Sequence, residues 1–315
     1  MKVCPIIMSG GFGTRLKPLS TPECPKQFIN FIDGKHSMFQ HTFKRIRKIF
    51  RTEKILICCN KKHIALTEKQ IKSINEDNYV ILVEERGRNT FASVLAGLQF
   101  CKLVSKSDIL FVSTSDSYIE NDDTFIKIMY DGLLYSFLSK KHVLFGIKPT
   151  KVDNQYGYIK TNKCFEKINR HKFYDIDFFM EKPSIENIEK IFKQYECYWN
   201  SGYFIFSIDE LVDDIKKYSP NEFLAFKTKK FFEKKQKDLY ITNENFLELP
   251  NNQIDRIIIE NSKNLVCCEA RIKWFDVGSF EVLYKLLKDG KISIPKEYYH
   301  LCNFDNKFLR LMSNL

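Results

Sequence analysis

The N-terminal segment SGGFGTRLKPLSTPECPKQF combines a glycine-rich stretch with basic residues. Gly10, Gly11 and Gly13 lack a Cβ, so their backbone can turn tightly and bring its N–H groups against an anion. Arg15 adds a planar, permanently charged fork and Lys26 adds a point charge, and both groups bind phosphate in proteins. The apolar run VCPIIM before the glycines predicts a buried strand that ends at this turn. The segment therefore predicts a site for a phosphate-bearing ligand.

The glycine spacing matches neither of two common phosphate-binding loops. A P-loop needs GxxxxGK[ST], and GK[ST] is absent from the sequence. A dinucleotide-binding loop needs GxGxxG, and Leu16 occupies the position of its third glycine. A purely structural turn, with Arg15 and Lys26 in solvent, is the alternative at this point.

Two aspartates are candidate metal ligands because each follows an apolar segment. Asp116 closes LFVSTSD, and Asp276 lies within KWFDVGSF. Mg²⁺ in proteins is usually held by one or two carboxylates together with substrate phosphates. The alternatives are a capping role for Asp116 and an ordinary turn at Asp276.

Other polar residues beside predicted strands could contact a hydroxylated, phosphorylated ligand. Glu181 can accept hydrogen bonds from sugar hydroxyls and Lys182 can bind a phosphate, although the two could equally form an exposed ion pair before a helix. Asn200 offers both a donor and an acceptor, or it could lie in a turn. Tyr156 and Gly157 could also contact such a ligand, or the glycine could simply mark a bulge in a strand.

The composition argues against several classes of protein. The chain has 44% hydrophobic and 28% charged residues and a formal net charge of +11. Its lysines are spread along the sequence, whereas nucleic-acid-binding arms are usually blocks of like charge. The densest run, residues 227–237, also carries Phe231 and Phe232 at a spacing that predicts a helix with a charged, solvated face. We therefore expect no nucleic-acid partner.

Cysteine and histidine usage indicates a reducing compartment. The ten cysteines include no CxxC pair, which favours free thiols and a cytoplasmic location over a disulfide scaffold. No histidine stands at metal-ligand spacing with another histidine or a cysteine. No run of eighteen apolar residues occurs, so we expect no membrane span.

Short apolar runs alternate with amphipathic stretches along the first half of the chain. The predicted strands are residues 3–8, 54–59, 79–83, 108–112, 142–146, 157–160, 178–180, 203–206 and 265–268. The predicted helices are residues 37–50, 63–74, 90–102 (with Asn89 or Thr90 as N-cap), 124–137, 185–196, 207–218 and, weakly, 251–260. Repeated β-α-β units predict an α/β fold: a Rossmann-like, mixed and mainly parallel sheet flanked by helices. Ligands of such sheets bind beyond the carboxyl ends of the strands.

The sequence has no Pro-, Gly- or Ser-rich linker and no internal repeat. We therefore predict one continuous domain over residues 1–287 and a short C-terminal tail over residues 288–315. The last part of the tail, residues 298–315, is amphipathic and could pack on the body or on a partner subunit. A homodimer is therefore plausible.

The order of the motifs resembles the sugar-1-phosphate nucleotidylyltransferases, and within them the bacterial mannose-1-phosphate guanylyltransferases. The resemblance covers roughly residues 3–285, and the twenty-residue N-terminal signature is its most specific part. The matching motifs, in chain order, are GGFGTRLKPLS, PKQF, EERGRNT, VSTSD, YGYI, FMEKP, WNSGYFIF, IDRIIIE and WFDVGSF.

The resemblance implies a nucleotide-diphospho-sugar transferase fold and a reaction. An oxygen of mannose-1-phosphate would attack the α-phosphorus of GTP in line, with Mg²⁺ bound, giving GDP-mannose and pyrophosphate. The implied catalytic residues are Arg15, Lys26 and Asp116, and the implied Mg²⁺ ligands are Asp116 and Asp276. The implied nucleotide-binding residues are Gly10, Gly11, Gly13, Thr14, Arg15, Glu84, Arg88, Asn89, Thr90 and Ser115. The implied sugar-phosphate-binding residues are Tyr156, Gly157, Glu181, Lys182 and Asn200.

The chain departs from the family pattern around the base and sugar pockets. Departures occur at Thr114–Ser117, at Glu85, at Phe91–Ser93 and at Asp255–Ile257. Another sugar-1-phosphate, such as that of heptose or glucose, or another nucleotide, such as CTP or UTP, therefore stays open. A catalytically silent nucleotide-sugar sensor is a further alternative. Long bacterial members also carry a C-terminal isomerase domain, and we expect that second activity to be absent here.

Overall fold

The computed structural model describes residues 1–194, 196–295 and 298 of the 315-residue chain. The strands are β1 Val3–Ser9, β2 Ile55–Asn60, β3 Tyr79–Glu84, β4 Ile109–Thr114, β5 Ser117–Ile119, β6 His142–Ile147, β7 Tyr158–Ile168, β8 His171–Met180, β9 Cys197–Ser207, β10 Phe232–Gln236, β11 Leu239–Thr242, β12 Leu265–Glu269 and β13 Trp274–Asp276. The helices are α1 Met38–Ile49, α2 Ile64–Lys72, α3 Asn89–Phe100, α4 Asp122–Ser139, α5 Ile185–Gln194, α6 Ile208–Tyr218, α7 Pro220–Thr228, α8 Glu244–Leu247 and α9 Phe280–Lys288.

The main sheet has the strand order β10-β11-β3-β2-β1-β4-β9-β6-β12-β8-β7. The pairs between β11, β3, β2, β1 and β4 are all parallel. These strands are nearly continuous apolar runs because helices cover both of their faces, which is typical of parallel sheets. The predicted α/β fold with a mixed sheet flanked by helices is confirmed.

The second half of the sheet is built differently. Most of its strand pairs are antiparallel, including β4–β9, β9–β6, β12–β8 and β7–β8. Strand β7 also pairs with the start of β9, so β9, β6, β12, β8 and β7 close into a ring. Asn200 lies within β9, so the alternative of a turn there is wrong, and the strand predicted over residues 203–206 begins earlier, at Cys197. Gly202 has a φ of 76° within this strand.

Two layers of helices cover the sheet. One layer, which includes α1 and α4, packs on a core that contains Phe39, Phe43 and Phe125. The other layer, which includes α3 and α6, packs on a core that contains Phe91 and Leu211. Helix α1 begins at a capping box, in which Ser37 accepts from the Gln40 amide and the Gln40 side chain accepts from the Ser37 amide.

A third apolar cluster joins the N-terminal loop to the end of the chain. It brings Leu16, Leu19 and Phe31 against α9. Ile292 and Ile294, from the first part of the predicted tail, are buried in the same cluster. The rest of the predicted amphipathic tail, apart from residue 298, lies outside the described residues.

Several local predictions were wrong. The run 227–237 is not one helix: α7 ends at Thr228, and the following residues form the β10–β11 hairpin at the sheet edge. Neither Asn89 nor Thr90 caps α3; the N-cap is Arg88, without a side-chain capping bond. The weak helix at 251–260 is a π-helical turn, Asp255–Ile259. Among the described residues, no helix is both long and apolar enough to cross a bilayer.

Candidate active site

The glycine-rich loop leaves the carboxyl end of β1 and is held by buried side chains. The Gln27 amide donates to the carbonyl oxygens of Ser9 at 3.2 Å and Gly11 at 2.8 Å. The Ser20 hydroxyl donates to the carbonyl of Phe12 and accepts from the Lys26 amide, each at 3.1 Å. These bonds fix the loop without occupying the N–H groups of its glycines.

Gly13 is required at the turn of this loop for two reasons. Its φ of +61° lies in the left-handed region, where L side chains are strained. An added Cβ would also lie 2.6 Å from the Ser20 hydroxyl oxygen and 3.1 Å from the backbone nitrogen of Lys26. At Gly11, by contrast, an added Cβ would meet no described atom within 4 Å.

Lys26 lies at the centre of the charged site and is only 5% exposed. Its Nζ is 2.9 Å from Oδ2 of Asp116 and 3.4 Å from Oδ1 of Asp276, and it donates to the Val277 carbonyl at 2.8 Å. Burial alone would lower the pKa of Lys26, but Asp116 and Asp276 outweigh it and raise that pKa. The ammonium is therefore charged throughout the physiological range.

The two aspartates come together through a separate two-stranded sheet. Asp116 lies between β4 and β5, and Asp276 is the last residue of β13. Strands β5 and β13 are antiparallel, with Ser117 opposite Asp276. Because the register sets Asp276 beside the residue that follows Asp116, both carboxylates face the same ammonium.

Arg15 completes this group from the exposed side. Its guanidinium is 3.7 Å from Oδ2 of Asp276 and donates to the Gln155 side chain at 2.9 Å. Gly278 leaves room for it, because an added Cβ there would be 2.7 Å from Nη2 of Arg15. About half of the Arg15 side chain is exposed, so it can move toward a bound anion.

A cavity of about 210 Å³ opens between the loop and the charged residues. It is lined by Gly11, Gly13, Thr14, Arg15, Lys26, Gln27, Asp116 and Gly278. The structure thus brings most of the predicted phosphate and metal residues to one place. Ser115, which was predicted to bind the nucleotide, does not line this cavity. Its hydroxyl donates to the Met8 carbonyl at 2.8 Å and ties the end of β4 to β1.

The donor set suits a hard divalent cation. Asp116 and Asp276 present carboxylate oxygens, 29% and 24% exposed as side chains, and they already converge on one cationic group, the ammonium of Lys26. Mg²⁺ prefers oxygen ligands of this kind and takes its remaining ligands from water and phosphate. The residues present therefore fit Mg²⁺ bound together with a nucleotide.

Glu84 lies beneath the start of the loop. It is 4% exposed, accepts a hydrogen bond from the Ser93 hydroxyl, and its Oε2 would be 3.4 Å from a Cβ added at Gly10. Burial raises the pKa of Glu84 to about 7, and the bond from Ser93 opposes that shift only in part. Glu84 is therefore an acid that can carry a proton near neutral pH.

The predicted nucleotide-binding segment after Glu84 makes contacts within the protein. The Arg88 guanidinium donates to the Leu247 carbonyl. The Thr90 hydroxyl accepts from the Ile254 amide at 3.0 Å. Asn89 is exposed and adopts φ +63°, and its side chain accepts from the Thr90 amide. These bonds tie the segment to the chain between β11 and the π-helical turn.

The predicted sugar-side residues form a second, carboxylate-rich cluster. Nζ of Lys182 is 2.8 Å from the Glu181 carboxylate, and the Asn200 amide donates to Oδ1 of Asp255 at 2.9 Å. Glu260 accepts from the Glu181 backbone amide at 2.8 Å. Burial and then the charge of Glu181 raise the pKa of Asp255, while Lys182 and Asn200 oppose this.

Tyr156 and Gly157 lie next to this cluster. The Tyr156 ring packs against Trp199 and Trp274, with centroids 4.8 Å and 5.5 Å away. Gly157 has no room for a side chain, since an added Cβ would lie 2.7 Å from Oε2 of Glu181. The glycine therefore allows the Glu181 carboxylate to approach the backbone, and it does not merely mark a bulge.

Sequence reasoning missed some residues that build the site. Gln27 and Ser20 hold the loop, and Asp255 joins the sugar-side cluster, yet none of them was assigned a role. Gln27 could have been found, because it adjoins Lys26 in the PKQF motif. Ser20 and Asp255 act through contacts that only the fold creates.

Comparisons with known proteins agree with this geometry. Residues 4–291 match the nucleotidyl transferase family. Mannose-1-phosphate guanylyltransferase RfbM of Salmonella typhimurium is 33% identical over 310 residues, which are 96% of this chain and 63% of the relative. A mannose-1-phosphate guanylyltransferase of Salmonella montevideo is 32% identical, over 99% of this chain and 66% of the relative. The chain thus spans a little under two thirds of the length of these curated relatives.

Two solved structures show the same fold. A Thermus thermophilus protein named a mannose-1-phosphate geranyltransferase superposes with a TM-score of 0.77 at 24% identity, covering 91% of this chain and 79% of that one. A Helicobacter pylori protein named a mannose-6-phosphate isomerase superposes with a TM-score of 0.73 at 24% identity, covering 88% and 100%. With the family match over most of its length, the chain belongs to the nucleotidyl transferase family.

Proposed function

We propose that the chain transfers a guanylyl group from GTP to mannose-1-phosphate, giving GDP-mannose and pyrophosphate. The observation that carries the proposal is the convergence of Arg15, Lys26 and Asp116 on one cavity beside the glycine loop, with Asp276 paired to Arg15 and Lys26. Two anions must meet for this reaction, and charge must be stabilised as it develops. The names of the curated relatives support the choice of base and sugar.

In this reaction an oxygen of the sugar phosphate forms a bond to the α-phosphorus of GTP. The bond from that phosphorus to the oxygen that bridges it to the β-phosphate breaks, and pyrophosphate leaves with the electron pair. The amides of Gly10, Gly11 and Gly13 would cradle the triphosphate, with Thr14 beside them. Arg15 would neutralise the β- and γ-phosphates, because it is partly exposed and free to turn toward them.

Lys26 would act on the α-phosphate or on the leaving group. Its ammonium is held charged by Asp116 and Asp276, and buried cations stabilise transition-state charge more strongly than solvated ones do. Asp116 and Asp276 would hold Mg²⁺. When bound, that ion supplies a Lewis acid for the phosphate oxygens.

The sugar-1-phosphate would bind on the side of the second cluster. Lys182 would hold its phosphate, and Glu181 and Asn200 would bind its hydroxyl groups. Gly157 would leave space beside the ring, and Tyr156 would form an apolar wall with the two tryptophans it contacts. The cluster lies beside the proposed phosphate site, because Tyr156 packs on Trp274, in the strand that ends at Asp276, and Gln155 accepts a hydrogen bond from Arg15.

The base would bind near Glu84 and the segment Arg88–Thr90. Guanine presents N–H groups, which require acceptors such as carboxylate or carbonyl oxygens. Ser115 would hold the nucleotide-binding side of the sheet in place, because its hydroxyl joins the end of β4 to the Met8 carbonyl of β1.

We further propose that residues 1–287 form the catalytic domain and residues 288–315 a tail, and that a homodimer forms through that tail. A cytoplasmic location is supported by the cysteines whose side chains the structure describes, which are free thiols, all but Cys24 buried. Neither nucleic acid nor membrane is among the expected partners.

The experiment is a measurement of pyrophosphate release with Mg²⁺. Four nucleoside triphosphates are tested against the 1-phosphates of mannose, glucose and heptose, with a folded Lys26→Ala variant as the blank. We expect release with GTP and mannose-1-phosphate that the variant lacks. Release with GTP and another sugar 1-phosphate would mean that the sugar assigned to the second cluster is wrong. If folded protein releases no pyrophosphate with any pair of substrates, the proposal is overturned.

A further inference from the structure

Asp33, His36 and His41 form a cluster outside the site described above. Their ligand atoms lie within 4.8 Å of one another. Among the described residues, this is the group of three histidine, cysteine or carboxylate side chains close enough to share a metal ion. The sequence analysis expected no histidine at metal-ligand spacing, and this expectation was wrong, because the four residues between His36 and His41 are a spacing found between zinc ligands. The fold creates the cluster by turning the loop before α1 back onto the first turn of that helix.

Both imidazoles point at one carboxylate oxygen. Nδ1 of His36 is 2.8 Å and Nε2 of His41 is 3.3 Å from Oδ2 of Asp33. Tetrahedral zinc with bonds of about 2.1 Å separates its ligand atoms by about 3.4 Å, so the arrangement needs only small shifts to hold such an ion. The rings themselves are 5.7 Å apart and nearly perpendicular.

The carboxylate is fixed in the orientation that a metal ligand needs. Its other oxygen, Oδ1, accepts from the amides of Lys35 at 2.9 Å and His36 at 2.6 Å. Those bonds leave Oδ2 facing the two rings. Hydrogen bonds that orient a ligand in this way commonly support metal affinity.

His41 is the less well satisfied of the two imidazoles. Its Nε2 is buried and faces Oδ2 of Asp33 at 3.3 Å, without the alignment of a hydrogen bond.

From this geometry we propose that Asp33, His36 and His41 bind a divalent transition-metal ion, with Zn²⁺ the best match. Two imidazole nitrogens and one carboxylate oxygen suit Zn²⁺, whereas Mg²⁺ prefers oxygen ligands alone. The ion would tie the loop before α1 to the helix, leaving a fourth position for water.

Lys44 gives the proposal a distinctive test. Its Nζ lies 2.9 Å from Nε2 of His36, so in the metal-free protein that nitrogen accepts and Nδ1 carries the proton. A metal ion on Nδ1 requires the proton on Nε2 instead, and the Lys44 ammonium must then move away. Removing Lys44 should therefore strengthen metal binding.

The experiment is a titration of the full chain with Zn²⁺ by calorimetry, in excess Mg²⁺ so that the carboxylates of the catalytic site are occupied. We expect one equivalent to bind, and affinity to fall at least about tenfold in His36→Ala and in His41→Ala. Lys44→Met should bind more tightly than the wild type. His171→Ala is the matched control, because that ring also pairs with an aspartate, Asp131, at 2.7 Å.

Thermal unfolding with and without Zn²⁺ gives a second measurement on the same proteins. The wild type and His171→Ala should gain stability from zinc, while His36→Ala and His41→Ala should not. Zinc binding that is equally strong in His36→Ala and His41→Ala would assign the ion to other ligands and overturn the proposal. Absence of binding in the folded wild type would overturn it as well.

Discussion

Asp255, in the sugar-side cluster, has an environment opposite to that of the two carboxylates paired with Lys26. Asp116 and Asp276 are partly exposed and share one buried ammonium, Lys26. Asp255 is more deeply buried, and its closest described partner is the neutral amide of Asn200. The first arrangement keeps the charges paired, whereas the second favours the protonated form of a carboxyl group.

Removing Lys26 should break the first arrangement and have the largest effect. We expect Lys26→Ala to reduce turnover by at least about 10²-fold, because the cation that stabilises transition-state charge is lost. Pyrophosphate release under saturating substrates measures this. Lys102→Ala, which also loses a lysine–aspartate pair, to Asp209, is the control and should retain full turnover. Normal turnover in folded Lys26→Ala would remove Lys26 from the mechanism.

Asp276→Asn tests whether the shared carboxylates serve a metal ion. The amide keeps the shape of the side chain but loses its charge, so we expect the Mg²⁺ concentration for half-maximal activity to rise about 10- to 100-fold. A titration of activity with Mg²⁺ measures it. An unchanged Mg²⁺ requirement would contradict the assignment of Asp276 as a ligand.

The glycine loop allows a comparison within a few residues. Gly13→Ala should lower the free energy of unfolding by about 1–2 kcal/mol or more, because its φ is positive and its added Cβ would collide with Ser20. Gly11→Ala should leave stability unchanged, since space is open around it, yet weaken nucleotide binding if the backbone contacts phosphate. Urea unfolding and the KM for GTP separate the two effects. Equal stability losses would refute the geometric argument.

Asn200→Ala sharpens the contrast at the sugar side. It removes the amide that bonds Asp255, and a lost hydrogen bond of this kind is worth about 0.5–1.5 kcal/mol. We expect the KM for the sugar-1-phosphate to rise about threefold to tenfold and the KM for the nucleotide to stay the same. Asn169→Ala is the control, because Asn169 likewise donates to a buried aspartate, Asp131. A rise in the nucleotide KM alone would move Asn200 out of the sugar pocket.

Glu84 gives the smallest expected effect, on the pH dependence of stability. Its folded pKa of about 7 lies above the ordinary value of 4.5, so the folded chain holds this proton more tightly than the unfolded one. The stability that this confers is complete below the unfolded pKa and is lost as pH rises through the folded value. Between about pH 6 and pH 8 the free energy of unfolding of the wild type should fall by about 1 kcal/mol more than that of Glu84→Gln. Parallel curves from chemical unfolding at the two pH values would contradict the buried-acid interpretation.

The phosphate side was the more predictable of the two regions. The glycine loop, Arg15 and Lys26 lie within one short segment. A local pattern of glycines followed by basic residues is enough to predict phosphate binding. Asp255 depends on a contact with the distant Asn200, so local patterns could not reveal its role. The Asp33–His36–His41 cluster is local, but the side-chain directions that bring its ligand atoms together appear only in the fold. The helix predicted at 227–237 failed because β10 lies at a sheet edge and exposes four consecutive polar residues, which hides the alternation of a strand.

The pairing of β5 with β13 also has a consequence for synthesis of the chain. Asp116 and Asp276 are separated by about half of the sequence, and the register of that small sheet is what joins them. A nascent chain can form the glycine loop and the first parallel strands early, while the second carboxylate is still inside the ribosome. Such a partial chain would hold Lys26 beside one acid instead of two. Competence for phosphate chemistry should therefore appear late and abruptly during translation, once residues 274–276 have emerged and docked.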